Sequence, residues 1–91
     1  MTRYQVAIRP SAAKELDALP DPVFDRLDFR IQSLAADPRP SGCKKLRGFK
    51  NLYRLRVGDY RVVYSVDDAE REIVVARVAH RSVAYDRDFQ R

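Results

Sequence analysis

The stretch 52-LYRLRVGDYRVVYSV-66 decides the fold. Side chains alternate in character on both sides of Gly58-Asp59, the pattern of two strands joined by a two-residue hairpin turn. That turn sets Val57 opposite Tyr60, Arg56 opposite Arg61, Leu55 opposite Val62, Arg54 opposite Val63 and Tyr53 opposite Tyr64. Cross-strand partners share a face. Tyr53, Leu55, Val57, Val62 and Tyr64 are therefore expected in the core, with Arg54, Arg56 and Arg61 together on the other side.

Like charges directly opposite one another destabilise a sheet. A hairpin that only needed to be stable would not carry this set. A solvated face whose arginine stems cover apolar surface accounts for one or two such residues, but poorly for three. Arginine's planar fork grips phosphate through paired hydrogen bonds and stays charged throughout the physiological range. An arginine face on a rigid sheet suits a phosphodiester and the extra negative charge of its pentavalent transition state.

Working outward, 38-PRPSGCKKLRGFKN-51 reads as a long connection with Lys44, Lys45, Arg47 and Lys50, and loops of this length are often functional. After a turn at Asp67-Asp68, a further strand is expected over about 72–79. Near the start, 3-RYQVAI-8 alternates and predicts a strand. Pro10 and Ser11 open a short helix with Ala12, Leu16 and Leu19 inward, closed by Pro20. Asp21-Pro22 then signals a second helix, with Asp21 expected to cap it. Val23, Leu27, Ile31 and Leu34, with Phe24 and Ala35 beside them, form its apolar stripe. Phe29 falls on the opposite side and is a candidate contact for a partner protein. The segment 80-HRSVAYDRDF-89 is expected to be a turn or brief helix. The order is β-α-α-β-β-β: an α+β fold in which a small, mostly antiparallel sheet carries a two-helix hairpin on one face.

Ninety-one residues predict a single domain over 1–91. Net charge is +5, and its placement is more informative than its size. Residues 1–42 carry six basic and six acidic side chains, and residues 66–91 carry five and six. Residues 43–65 carry seven basic side chains and one acidic, Asp59. Concentration of the excess in one segment points to a polyanion, most simply a nucleic acid. No apolar run approaches a membrane span and the start does not read as a signal peptide, so a cytoplasmic protein without membrane contact is expected. The single cysteine, Cys43, suits a reducing compartment and reads as a small loop residue. One histidine, one cysteine and no convergent acidic cluster predict no metal site and no cofactor.

The run 46-LRGFKNLYRLRVGDYRVVYSV-66, followed by a strand and then 80-HRSVAY-85, closely resembles the RelE family of the RelE/ParE toxin superfamily. Strand order, length and basic character extend the resemblance over nearly the whole chain. It implies the toxin of a type II toxin–antitoxin system, a ribosome-dependent, metal-independent mRNA endonuclease working in the A site. There the 2′-hydroxyl of one nucleotide attacks the adjacent phosphate and translation stops. The implied partners are a cognate antitoxin, the ribosome and mRNA, with operator DNA reached only through the antitoxin. The resemblance places the active-site basic pair on Arg54 and Arg56, further arginines on Arg61 and Arg81, and the tyrosine on Tyr85. Lys44, Lys45, Arg47 and Lys50 become anchors for RNA backbone.

Many relatives have lysine at the first pair. An arginine cannot give up its proton as a lysine can, so Arg54 is a poor general base. His80 is a candidate for proton transfer, and Tyr85 for proton transfer or for stacking on a base. A third route needs no strong base, only positioning and charge stabilisation. Two rival readings share the fold: a ParE-type poison of DNA gyrase, and an inactive chain that only binds antitoxin and represses its operon.

Overall fold

The computed structural model describes residues 3–82. Strand β1 (Gln5–Ile8) leads into helices α1 (Pro10–Asp17) and α2 (Asp21–Ser33), then strands β2 (Cys43–Lys45), β3 (Leu52–Val57), β4 (Tyr60–Asp67) and β5 (Glu72–His80). The strands form one sheet in the order β1-β5-β4-β3-β2. β1 runs parallel to β5, and the other pairings are antiparallel.

The hairpin has the register its sequence dictates, from Leu52 opposite Ser65 to Val57 opposite Tyr60. Gly58 turns at φ +58, while Asp59 keeps a negative φ. Glycine alone at the first turn position is the requirement of a type II′ turn, whose twist matches that of the strands.

Two expectations are corrected. The connection 38–51 is not all loop: Cys43, Lys44 and Lys45 pair with Leu55, Arg54 and Tyr53 as a fifth strand, which places Cys43 in a strand too. Three residues with two lysines carry no apolar alternation; the free edge of β3 supplies the order. Asp21 does not cap α2, because Pro20 occupies the cap position and no side chain bonds the free N–H groups there. Asp21 instead sits in the first turn, where its charge still faces the positive end of the helix dipole.

Both helices lie on one face of the sheet. Ala12 and Leu16 of α1, and Leu27 and Ile31 of α2 with Leu34 just beyond, pack on Leu55, Val57, Val62, Tyr64, Val66, Ile73, Val75 and Val78. Tyr64 is the largest fully buried side chain. Its hydroxyl lies 2.8 Å from the Pro38 carbonyl and 3.2 Å from Cys43 Sγ. One phenolic proton serves one acceptor, so the carbonyl takes it and the thiol is left to donate to the phenol oxygen. Burial and the Cys43 contact push the Tyr64 phenol upward and keep it protonated.

β1 stops pairing with β5 at Val75. Glu15 of α1 takes over the exposed strand edge. Its Oε1 accepts the Val78 N–H at 2.8 Å, and its Oε2 accepts Arg77 Nε–H at 3.0 Å. The edge is thus closed by a carboxylate where the neighbouring strand runs out.

Candidate nucleic-acid interface

Period-two alternation makes the site. β3 sends Arg54 and Arg56 to the face away from the helices, and β4 sends Arg61 to the same side, directly across from Arg56. β2 adds Lys44, which pairs with Arg54. Gly42, at φ +88, offers its carbonyl to the Arg56 N–H at 3.3 Å and brings the start of β2 against β3. Gly42, Lys44, Arg54, Arg56 and Arg61 line one open basin of about 230 Å³.

The floor of this face is dry. Val63 is the partner of Arg54 and so lies on the cationic side, yet it is only 2% exposed. Nε and Nη1 of Arg61 are shut off from solvent. A guanidinium held partly out of water on a rigid strand interacts with an incoming anion more strongly than a freely solvated one. None of the five lining residues is acidic, and its three arginines do not act as general bases. The arrangement can bind a phosphate and stabilise added charge on it.

The remaining predicted site residues are dispersed. Arg81 follows β5 opposite Asp59: its N–H donates to the Asp59 carbonyl at 2.7 Å, and its Nε lies 3.4 Å from Asp59 Oδ1. It stands beside the turn and is not part of the basin lining. His80 pairs with Tyr60, and the two rings meet edge to face with centroids 5.2 Å apart. Tyr60 packs against the core, so His80 lies on the helix side of the sheet, away from the arginines. Its Nδ1 accepts the Ser82 N–H at 3.1 Å and lies 2.8 Å from the Ser82 hydroxyl.

Lys45 pairs with Tyr53, so alternation turns it to the helix side, opposite to Lys44. Arg47 and Lys50 are exposed in the turn between β2 and β3, outside the basin lining. Phe29 is 70% exposed on α2, in the layer behind the sheet. Tyr85 lies outside the described residues.

One cluster had no signal in the sequence. Arg39 grips Asp68 with both terminal nitrogens, Nη2–Oδ2 at 2.8 Å and Nη1–Oδ1 at 3.3 Å, and its Nε donates to the Tyr53 hydroxyl at 3.0 Å. The Tyr4 hydroxyl donates to Asp68 at 2.6 Å. The Arg39 fork, and secondarily the Tyr4 hydroxyl, hold the Asp68 carboxyl below its ordinary range. The same carboxylate raises the Tyr4 phenol. These four residues clasp the two ends of the chain's first half to the β4–β5 turn, at the end of the sheet away from Asp59.

Comparison with known proteins places the fold. The family described as ParE toxin of type II toxin-antitoxin system, parDE, matches residues 6–85. The chain is 34% identical over 83 residues to the toxin RelE of Mycobacterium tuberculosis, covering 90% of this chain and 86% of that protein. The archaeal RelE–RelB complex from Pyrococcus horikoshii OT3 superposes with a TM-score of 0.76 at 38% identity, over 92% of this chain and all of the other. The isolated E. coli RelE toxin gives a TM-score of 0.74 at 27% identity, over 96% of each chain. This chain belongs to the RelE/ParE superfamily, as a RelE-like toxin of a type II toxin–antitoxin system.

Proposed function

We propose that this toxin is a ribosome-dependent mRNA endonuclease that acts in the cytoplasm, cuts the message in the A site and so stops translation. The observation that carries the reading is the convergence of Lys44, Arg54, Arg56 and Arg61 on one basin. In the proposed reaction the 2′-hydroxyl oxygen attacks the adjacent phosphorus and the bond to the 5′-oxygen breaks. The products are a 2′,3′-cyclic phosphate and a 5′-hydroxyl, and the proton lost at one oxygen is regained at the other. Arg61, flanked by Arg54 and Arg56, offsets the charge that builds on the non-bridging oxygens. Tyr85 orients the nucleotide. His80 faces the helices and takes no part. Catalysis rests on in-line positioning and charge stabilisation, with the ribosome aligning the strand.

The proposed protein partner is a cognate antitoxin, with operator DNA reached only through it. Support comes from relatives solved as complexes with RelB, among them the Pyrococcus horikoshii pair.

A second reading has its own support, because the matching family is described by ParE. On that reading the basic face serves a gyrase poison and cuts no RNA. Primer extension on an actively translated message after induction separates the two. Codon-phased ends that vanish in Arg61→Ala support the nuclease; a DNA-damage response without mRNA ends supports gyrase poisoning.

A further inference from the structure

We infer that Asp59 is a positioning residue whose carboxylate holds Arg81 beside the basin and yields it to the phosphodiester of an arriving RNA strand. This rests on the reading of the arginine face as a phosphate site. Asp59 is the one acidic residue among residues 43–65, where seven side chains are basic. Its place in the turn does not call for a charge, because Gly58 already supplies the positive φ that the turn needs. The ladder does not call for one either. The Arg81 N–H donates to the Asp59 carbonyl at 2.7 Å, so backbone alone ties the two residues together.

What remains for the carboxylate is the Arg81 side chain. That contact is loose: Nε lies 3.4 Å from Oδ1, and the side chains are 58% and 66% exposed. The clasp of Arg39 on Asp68 shows the contrast, with two parallel contacts and a shorter distance of 2.8 Å. A long contact between exposed groups exchanges readily, and a phosphate can offer the guanidinium short paired bonds. The position is also right. Asp59 precedes Arg61 by two residues, and Arg81 follows Ala79, the partner of Arg61, by two. The Asp59–Arg81 pair therefore sits at the end of the β4–β5 ladder, one step beyond Arg61 and Ala79. Held there against repulsion from Arg56 and Arg61, Arg81 is ready to take the next phosphate along the strand.

The test compares the wild type with Asp59→Asn, Asp59→Glu, Arg81→Ala and the double variant D59N/R81A. Two probes are used: a short fluorescent single-stranded RNA over a salt series, and inorganic pyrophosphate followed through the Arg81 Nε–Hε resonance. Thermal melts confirm the fold of each variant. Asp59→Asn should bind the RNA about twofold to fivefold tighter, the factor carried by one exposed ion pair. Its salt slope should stay close to that of the wild type, because Arg81 reaches the phosphate in both proteins. Asp59→Glu should behave as wild type, D59N/R81A should bind no tighter than Arg81→Ala, and the Arg81 resonance should move at lower pyrophosphate in Asp59→Asn. An equal gain in the Arg81→Ala background would reduce Asp59 to bulk charge and overturn the inference. An Arg81 resonance with the same pyrophosphate response in both proteins would overturn it too. If no variant binds RNA but the resonance still moves earlier in Asp59→Asn, the nucleic-acid reading falls while Asp59's hold on Arg81 stands.

Discussion

Arg56 and Arg61 stand directly opposite each other across the β3–β4 ladder, on the face away from the helices. Two guanidinium groups in that relation oppose folding, and the hairpin keeps them together because its other face is locked into the core by Leu55, Val57, Val62 and Tyr64. Stability and anion binding therefore pull this position in opposite directions. Arg56→Thr should raise the unfolding free energy by roughly 0.2–1 kcal/mol, the worth of a cross-strand pair. It should also weaken single-stranded RNA binding and lower the salt slope by about 0.7. Urea denaturation and fluorescence anisotropy read the two effects, and a variant that loses stability as well as binding would contradict the account.

Lys44 and Lys45 are neighbours in sequence and face opposite ways, because they lie on a strand. Lys44→Ala should weaken RNA binding and flatten its salt dependence by about 0.7, while Lys45→Ala should change both much less. Equal losses would mean that the segment acts as a loose cationic loop and not as an edge strand.

Asp68 sets an acid limit on stability. Its folded carboxyl is lowered, chiefly by Arg39 and then by Tyr4. A lowered folded value means that the ionised form contributes stability in full above the unfolded carboxyl range of roughly 4. That contribution is lost as pH falls through the folded value. Asp68→Asn should bring the melting temperature down near neutral pH and flatten its decline in acid, measured by a melting series from neutral to acidic buffers.

The Tyr64 hydroxyl donates to the Pro38 carbonyl at 2.8 Å from inside the core. Tyr64→Phe keeps the ring and removes that bond, and it should cost about 1 kcal/mol in urea denaturation. RNA affinity should hold, since the ring lies on the other side of the sheet from the basin.

The hairpin was fully legible in the sequence. Gly58-Asp59 fixes the turn, and period two then assigns every side chain to a face, including the three arginines. The edge strand at Cys43–Lys45 was not legible, because its order comes from hydrogen bonds to β3 and not from its own residues. The placement of His80 was not legible: Ile73, Val75 and Val78 all face the core, so the irregularity opposite Val63/Tyr64 breaks the alternation of β5, and an unbroken period of two from Ile73 would have set His80 among the arginines. The seat of Arg81 was not legible, because the pairing of its backbone with Asp59 is set by where β5 runs out against the turn. The clasp of Arg39 with Asp68 joins residues 29 apart, brought together only by the finished sheet.

The parallel pairing of Gln5–Ile8 with Glu72–Val75 constrains how the protein is made. A nascent chain has no place for β1 until Glu72–Val75 has been translated and has cleared the exit tunnel, since the hydrogen-bonding edge it needs is made after β2, β3 and β4. Closing such a distant contact is slow compared with forming a local hairpin. Birth of this toxin is thus all-or-none along the message: a polypeptide interrupted before Glu72 lacks the strand that both flanks β4 and receives β1. Ribosome-stalled chains truncated at that point should leave residues 5–8 open to amide exchange, while full-length released protein protects them.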